Sequence, residues 1–314
     1  MKPSLKFALY LFFFCALNAC TEEAVERVGI TKTGTLENSK LDEASGIQAS
    51  WTREDRYFLH NDDGKAEVFV INAEGADLGS FLVKGARNRD WEDISMVPTA
   101  SGPLMVIADS GDNFAKFKSI WLYFFFEPNA DELGRYSGNV PLFHAIELQY
   151  PDGARDCESI AYDSSSGKIY LLSKRDKPAG IYSIPLDDAL SKTQATLSFE
   201  GNLATLRPPN VSDTKIFGKR EGKWVSQPNG MDISQDGKIA ALITYRSIYL
   251  FRRQDGEDWP TVLARKPVEF IGPSSRTEEA IGFTNEGTSI MVTAEGRSAP
   301  VYRIRLDSET VLFE

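Results

Sequence analysis

The sequence predicts an all-β chain folded as a β-propeller of four-stranded antiparallel blades, five blades in the main reading and six in the alternative. Three observations carry that expectation. A strand–turn–strand unit recurs five times, opening at Glu43, Glu92, Glu158, Asn229 and Glu279 and ending its second strand at Asp62, Asp109, Lys174, Arg246 and Glu295. A third strand follows each unit, and a fourth is visible after most of them. Val, Ile, Tyr and Phe fill these runs, which suits a pleated, half-buried surface, while helical periodicity is confined to a short stretch at 187–193.

Taken in order, the chain opens with Lys2 and Lys6 around an almost wholly apolar run over 5–17. That run is too short to span a bilayer stably and fits an exported, cleaved leader. Leu17-Asn18-Ala19-Cys20 resembles the lipobox of bacterial lipoproteins. The resemblance implies removal of residues 1–19 and a lipid on Cys20, with a tether over 20–29 leading into a single propeller over 30–314. Thr21, standing where an aspartate would signal inner-membrane retention, points to the outer membrane in a host that has two.

Residues 30–36 alternate in polarity and precede the first repeat, where a ring needs a strand to close beside Pro300–Arg305. The repeats follow at 41–72, 90–126, 156–185, 229–252 and 278–305. Ser234-Gln235-Asp236-Gly237 and Thr284-Asn285-Glu286-Gly287 supply tight turns, because glycine accepts the backbone angles such hairpins demand. Fourth strands are expected at 80–83, 142–148, 195–199 and 267–271. Two longer connections remain. Residues 128–139 read as a polar loop, and 202–227 as an outer loop or a degenerate sixth blade. Sheets with two apolar faces bury both by stacking around an axis. A β-sandwich would take the strands but does not predict the repeat.

Bulk properties narrow the function. Formal charge is -10, from 45 acidic against 35 basic residues, which disfavours nucleic acid and leaves cations, sugars or a basic protein patch as partners. Of three cysteines, Cys15 leaves with the leader and Cys20 is acylated, so Cys157 is expected to be a buried lone thiol without a disulfide. His60 and His144 are the two histidines and have no motif partners, which disfavours a cysteine–histidine zinc site. His60 is expected to pack within a blade.

Antiparallel pairing brings the start of each first strand beside the end of the second. In a propeller the first strand lines the channel, so these positions should meet at one channel mouth. The acid–base candidates are Glu92, Glu158 and Glu279. Ligand-binding candidates are Asn61, Trp91, Lys174, Arg175, Asn229, Arg246 and Glu295, and metal-ligating candidates are Glu43, Asp62, Asp109 and Asp112. Carboxylates at close range repel and raise one another's pKa values. Either a hard cation such as Ca²⁺ sits among them, or Lys174, Arg175 and Arg246 compensate them. The bland alternative has the same glutamates capping strands and bonding to neighbouring blades. Trp91, beside Glu92, is the aromatic best placed to stack on a ligand; the run 121–126 is expected to pack between blades, and Trp224 and Trp259 lie in loop-like stretches. No Gly-x-Ser-x-Gly elbow, P-loop or His-Glu-x-x-His motif is present.

Glu43-Ala44-Ser45-Gly46-Ile47, His60-Asn61-Asp62, Asp90-Trp91-Glu92-Asp93-Ile94, Ala108-Asp109-Ser110-Gly111-Asp112-Asn113 and Arg155-Asp156-Cys157-Glu158 occur in this order. Over 41–296 the chain thereby resembles a widespread family of secreted bacterial β-propeller proteins. The resemblance implies export and a propeller. A more distant similarity is to β-propeller phytases and phytase-like esterase domains, where calcium and phosphate meet at the channel; no phytase motif aligns residue by residue, so no catalytic role is carried over. The expected function is binding of a ligand or protein partner at the mouth with Ca²⁺, the alternative a calcium-assisted hydrolase of phosphoesters or glycans.

Overall fold

The computed structural model describes residues 29–273 and 277–306. Cys20 and the leader lie outside them. Within that span the chain forms five blades. Blade 1 comprises Ala44–Ala49, Tyr57–Asn61, Glu67–Ile71 and Asp77–Lys84, and blade 2 comprises Trp91–Val97, Leu104–Asp109, Ile120–Phe126 and His144–Gln149. Blade 3 comprises Cys157–Asp163, Lys168–Ser173, Gly180–Pro185 and Ser198–Asn202, and blade 4 comprises Gly230–Ile233, Ile239–Ile243, Ser247–Arg252 and Val268–Ile271. Blade 5 takes Glu278–Phe283, Ser289–Ala294 and Pro300–Arg305 from the end of the chain and Ile30–Thr35 from its beginning. The first-named strands pack against one another around the axis. Ile30 lies opposite Ile304 and Thr35 opposite Pro300, so the expected closing strand seals the ring.

The core consists of five apolar clusters, each shared by two adjacent blades. Phe124 and Phe125 are fully buried in two of them, in line with the packing role expected of that aromatic run. Cys157 is buried between blades 2 and 3 as a free thiol, and burial pushes its pKa up to about 11.

Two expectations need correction. Residues 202–227 make no sixth blade; they hold the helix Val211–Glu221, interrupted at Gly218, whose φ of 89° breaks the helical path. The strand expected at 195–199 is two strands. Gln194–Thr196 runs parallel along the outer edge of blade 2, and Ser198–Asn202 completes blade 3. Asn139–Pro141 likewise runs parallel along the edge of blade 1. Both links cover an edge that would otherwise present unpaired backbone groups. Sequence reasoning also missed the short helix Trp259–Leu263, where Asp258 accepts from the Thr261 N–H at 2.9 Å as N-cap and Trp259 is fully buried.

Two buried aspartates on the innermost strands bond blade to blade through backbone N–H groups. Asp93 accepts from the N–H groups of Ile160 at 2.8 Å and Met231 at 3.2 Å, tying blade 2 to blades 3 and 4. Asp232 accepts from Phe283 N–H at 2.8 Å, tying blade 4 to blade 5. The glutamates share the stapling role considered for them: Glu279 of blade 5 accepts from the Tyr245 hydroxyl of blade 4 and lies 3.8 Å from Lys174 of blade 3.

Candidate functional site

Four innermost strands carry a register irregularity at one equivalent position, skipping Ser45, Glu92, Glu158 and Glu279. A β-bulge leaves its extra residue unpaired and re-aims that side chain. Here it directs Glu92, Glu158 and Glu279 into one cavity of about 140 Å³, which Asp62, Asp90, Lys174, Arg175, Tyr245 and Glu295 also line. Starts of first strands and ends of second strands therefore meet at one channel mouth. Blade 4 has no such irregularity, and Met231, in register opposite Leu242, is buried instead.

Lys174 is the central cation. Its ammonium pairs with Glu158, lies 3.8 Å from Glu279 and stands 5.2 Å from the centre of the Tyr245 ring. Burial opposes its charge, but Glu158 and Glu279 outweigh that and hold its pKa well above the usual lysine value. The Tyr245 hydroxyl donates to Glu279 Oε1 at 2.8 Å. Ser45 Oγ–H donates to the Glu92 carbonyl at 2.8 Å and reaches Glu92 Oε2 at 3.3 Å. Arg175 pairs through Nε with Asp156 at 2.7 Å, bonds to Asn113, and lies 5.3 Å from the Trp224 ring centre.

Acidic groups outnumber cations at this mouth, and their proton affinities show it. Burial, then the charge of Glu158, pushes Glu92 well above the carboxylate range. Burial and Glu43 raise Asp62 to about 7, burial and Asp156 raise Asp90 to about 6, and burial and Glu279 raise Glu295 to about 8. Among the described residues, two clusters of three carboxylates each hold their oxygens within 4.8 Å: Glu92, Asp156 and Glu158, all buried, and Glu43, Asp62 and Asp63 at the rim. Either arrangement can coordinate a divalent ion.

Several candidates lie elsewhere. Trp91 is fully buried between blades 1 and 2, with its indole N–H donated to Arg87 O at 2.8 Å, so it presents no face to a ligand. Arg246 turns away from the channel to Asp213 at 2.9 Å and Glu269 at 2.7 Å, fastening the 202–227 excursion to blade 4. Asn229 is buried and donates to Glu278 O at 3.2 Å, and Asn61 bridges the Lys40 carbonyl and the Glu43 N–H. Asp109 accepts from the N–H groups of Arg89 and Asp90, and Asp112 from Phe117 N–H at 2.6 Å. Both aspartates are spent on backbone N–H groups of blade 2 and its connections, and neither joins a carboxylate group within ligating distance among the described residues. His60 is buried edge-on to Trp91, with burial lowering its pKa to about 4, as expected of a packed residue.

Asp90, Asp156, Trp224 and Tyr245 were missed. A legible signal existed for the first two: Asp90/Glu92 and Asp156/Glu158 are two residues apart, the period of one strand face. Tyr245 neighbours the wrongly chosen Arg246, and Trp224 had no signal.

Fold and site together define a five-bladed β-propeller with an acidic, lysine-centred channel mouth. No family model matches the sequence, and no curated protein matches it. Among solved structures it is similar to a gluconolactonase from Xanthomonas campestris, at 10% identity over 89% of this chain and 91% of that one, with a TM-score of 0.47. It is also similar to a luciferin-regenerating enzyme, at 10% identity over 88% and 94%, with a TM-score of 0.44.

Proposed function

We propose that the protein is an exported lipoprotein, tethered through Cys20, whose propeller over 30–314 binds a divalent cation at the channel mouth and holds a ligand or protein partner there. Ca²⁺ is the ion of choice, since the donors are carboxylate oxygens from several elements and Ca²⁺ accepts many oxygens in irregular geometry. One observation carries the reading: bulges in three blades aim Glu92, Glu158 and Glu279 at one cavity, where the oxygens of Glu92, Asp156 and Glu158 already lie within 4.8 Å. A cation there relieves repulsion that Lys174 and Arg175 only partly offset. Titration of CaCl₂ followed by thermal melting tests it. Wild type should gain several degrees, as ligand linkage requires, and a Glu92→Gln, Glu158→Gln double variant should gain none. An unmoved wild-type melt ends the metal reading. Cys20→Ser should release the chain from the membrane fraction.

The hydrolase alternative draws on Glu92 and the lysine-paired Glu158, two buried carboxyls at one cavity whose proton affinity burial raises well above the carboxylate range, as a general acid requires. With Arg246 facing away, Arg175 is the arginine left at the channel to clamp an anion. Binding is therefore the better supported function. Turnover of aryl phosphates or glycosides that disappears in Glu92→Gln would reverse that order.

A further inference from the structure

A second cleft, of about 360 Å³, adjoins the channel mouth. The segment 223–227 borders both spaces: Trp224 lines the channel, whereas Lys223, Ser226 and Gln227 line the cleft, and Lys174 is common to the two. Its chemistry is the reverse of the channel's. Pro178, Leu203, Leu206, Pro208 and Pro209 make apolar walls. Lys177 and Lys223 stand exposed at the rim, and neither forms an ion pair among the described residues. The one carboxylate lining the cleft, Asp176, is already paired with Arg155. Gln227 is 7% exposed, and its buried Oε1 has no hydrogen-bond partner among the described residues. A buried acceptor without a donor is unfavourable until something supplies one. The volume lies within the range of small-molecule sites, and an apolar enclosure with a few convergent polar groups is the usual character of such sites.

We propose that this cleft is a second ligand site, distinct from the acidic channel, which takes a small molecule with an apolar body, a carboxylate and one hydrogen-bond donor. The rim lysines attract the carboxylate, the proline and leucine walls enclose the body, and the donor meets Gln227 Oε1. Such a ligand would be rejected by the channel, whose carboxylates repel it.

The test is calorimetric titration of the full chain, kept calcium-free with chelator, using 6-hydroxy-2-naphthoate as probe. Saturable one-to-one binding is expected, with 2-naphthol, which lacks the carboxylate, weaker by about tenfold. Charge reversal at Lys177→Glu and Lys223→Glu together should weaken the probe by about tenfold or more. Ala204→Trp should fill the cleft and abolish binding, and Gln227→Leu should erase the preference for the hydroxylated probe over plain 2-naphthoate. Asp62→Asn, which alters the channel lining at a residue that makes no ion pair with Lys174, should bind the probe like wild type, which separates this site from the channel. Absence of saturation in wild type overturns the proposal. So does binding unchanged by both the lysine reversal and Ala204→Trp in variants that melt like wild type; if Ala204→Trp does not fold, the lysine reversal decides.

Discussion

Gly111 shows how closely the channel mouth is built. A methyl group placed on it would overlap Glu92 Oε1 and the Asp90 carboxylate, so the backbone itself forms the floor beneath those acids. Gly111→Ala is expected to cost about 1–3 kcal/mol by overpacking and to shrink the calcium-induced rise in melting temperature; denaturant unfolding with and without CaCl₂ reads both. Lys174 works by charge. Its 3% exposure leaves Glu158 and Glu279 with little solvent to replace the ammonium. Lys174→Met should therefore cost about 3–5 kcal/mol at pH 8, where a buried carboxyl is left without its cation. The loss should shrink at pH 5, where Glu158, whose proton affinity burial raises, takes up a proton. Urea unfolding at the two pH values checks this, and an equal loss at both would make the lysine a packing residue only.

At the level of strands, much of the fold was legible and the site only in part. Strand pairs, turns and the closing strand follow from alternation and turn chemistry, which are local. The repeat position was misread by two residues in blades 1 and 4, at Glu43 and at Asn229. Aligned on Ile47, Ile94, Ile160 and Ile281, the position of Glu92 falls on Ser45, and Glu43 lies outside at the exposed rim. The same alignment on Ile233 pairs Asp93 with Asp232, the two inter-blade staples, and places Met231 opposite the glutamates. What one chain could not disclose was which copies carry a bulge, and that the 202–227 excursion brings Asp213 to Arg246 and draws it from the channel. The closing strand offers its own test. Thr33 Oγ1–H donates to Ala73 O at 2.5 Å, and Leu36 N–H to Ala299 O at 2.9 Å, so 30–36 fastens blade 5 to blade 1 as well as completing its sheet. Removing everything before residue 37 deletes that ladder, and at about 1 kcal/mol for each lost bond the melting temperature should fall by about 10 °C or more. A truncated chain that melts like wild type would mean the ring does not depend on this closure.

Across the whole molecule, the ring geometry converts residues far apart in sequence into one titrating assembly. Asp62 belongs to blade 1, Glu92 to blade 2, Glu158 to blade 3 and Glu295 to blade 5, and folding alone brings them to one cavity. The unfolded chain holds these acids at their ordinary values, near 4, whereas the fold raises Asp62 to about 7 and Glu295 to about 8. The folded state thus binds more protons between about pH 4 and pH 8, and its stability must fall as pH rises through that window. Calcium-free protein should accordingly melt lower at pH 8.5 than at pH 5. A divalent ion replaces those protons as the compensating charge, so its binding should release them and strengthen as pH rises across the same interval. Melting curves from pH 5 to 9 with and without CaCl₂ give the first quantity. Titration calorimetry in two buffers of different ionisation enthalpy gives the proton release. Calcium stabilisation equal at pH 5 and pH 8.5 would show that the ion does not displace protons from these carboxyls, and hence that it binds outside the channel mouth.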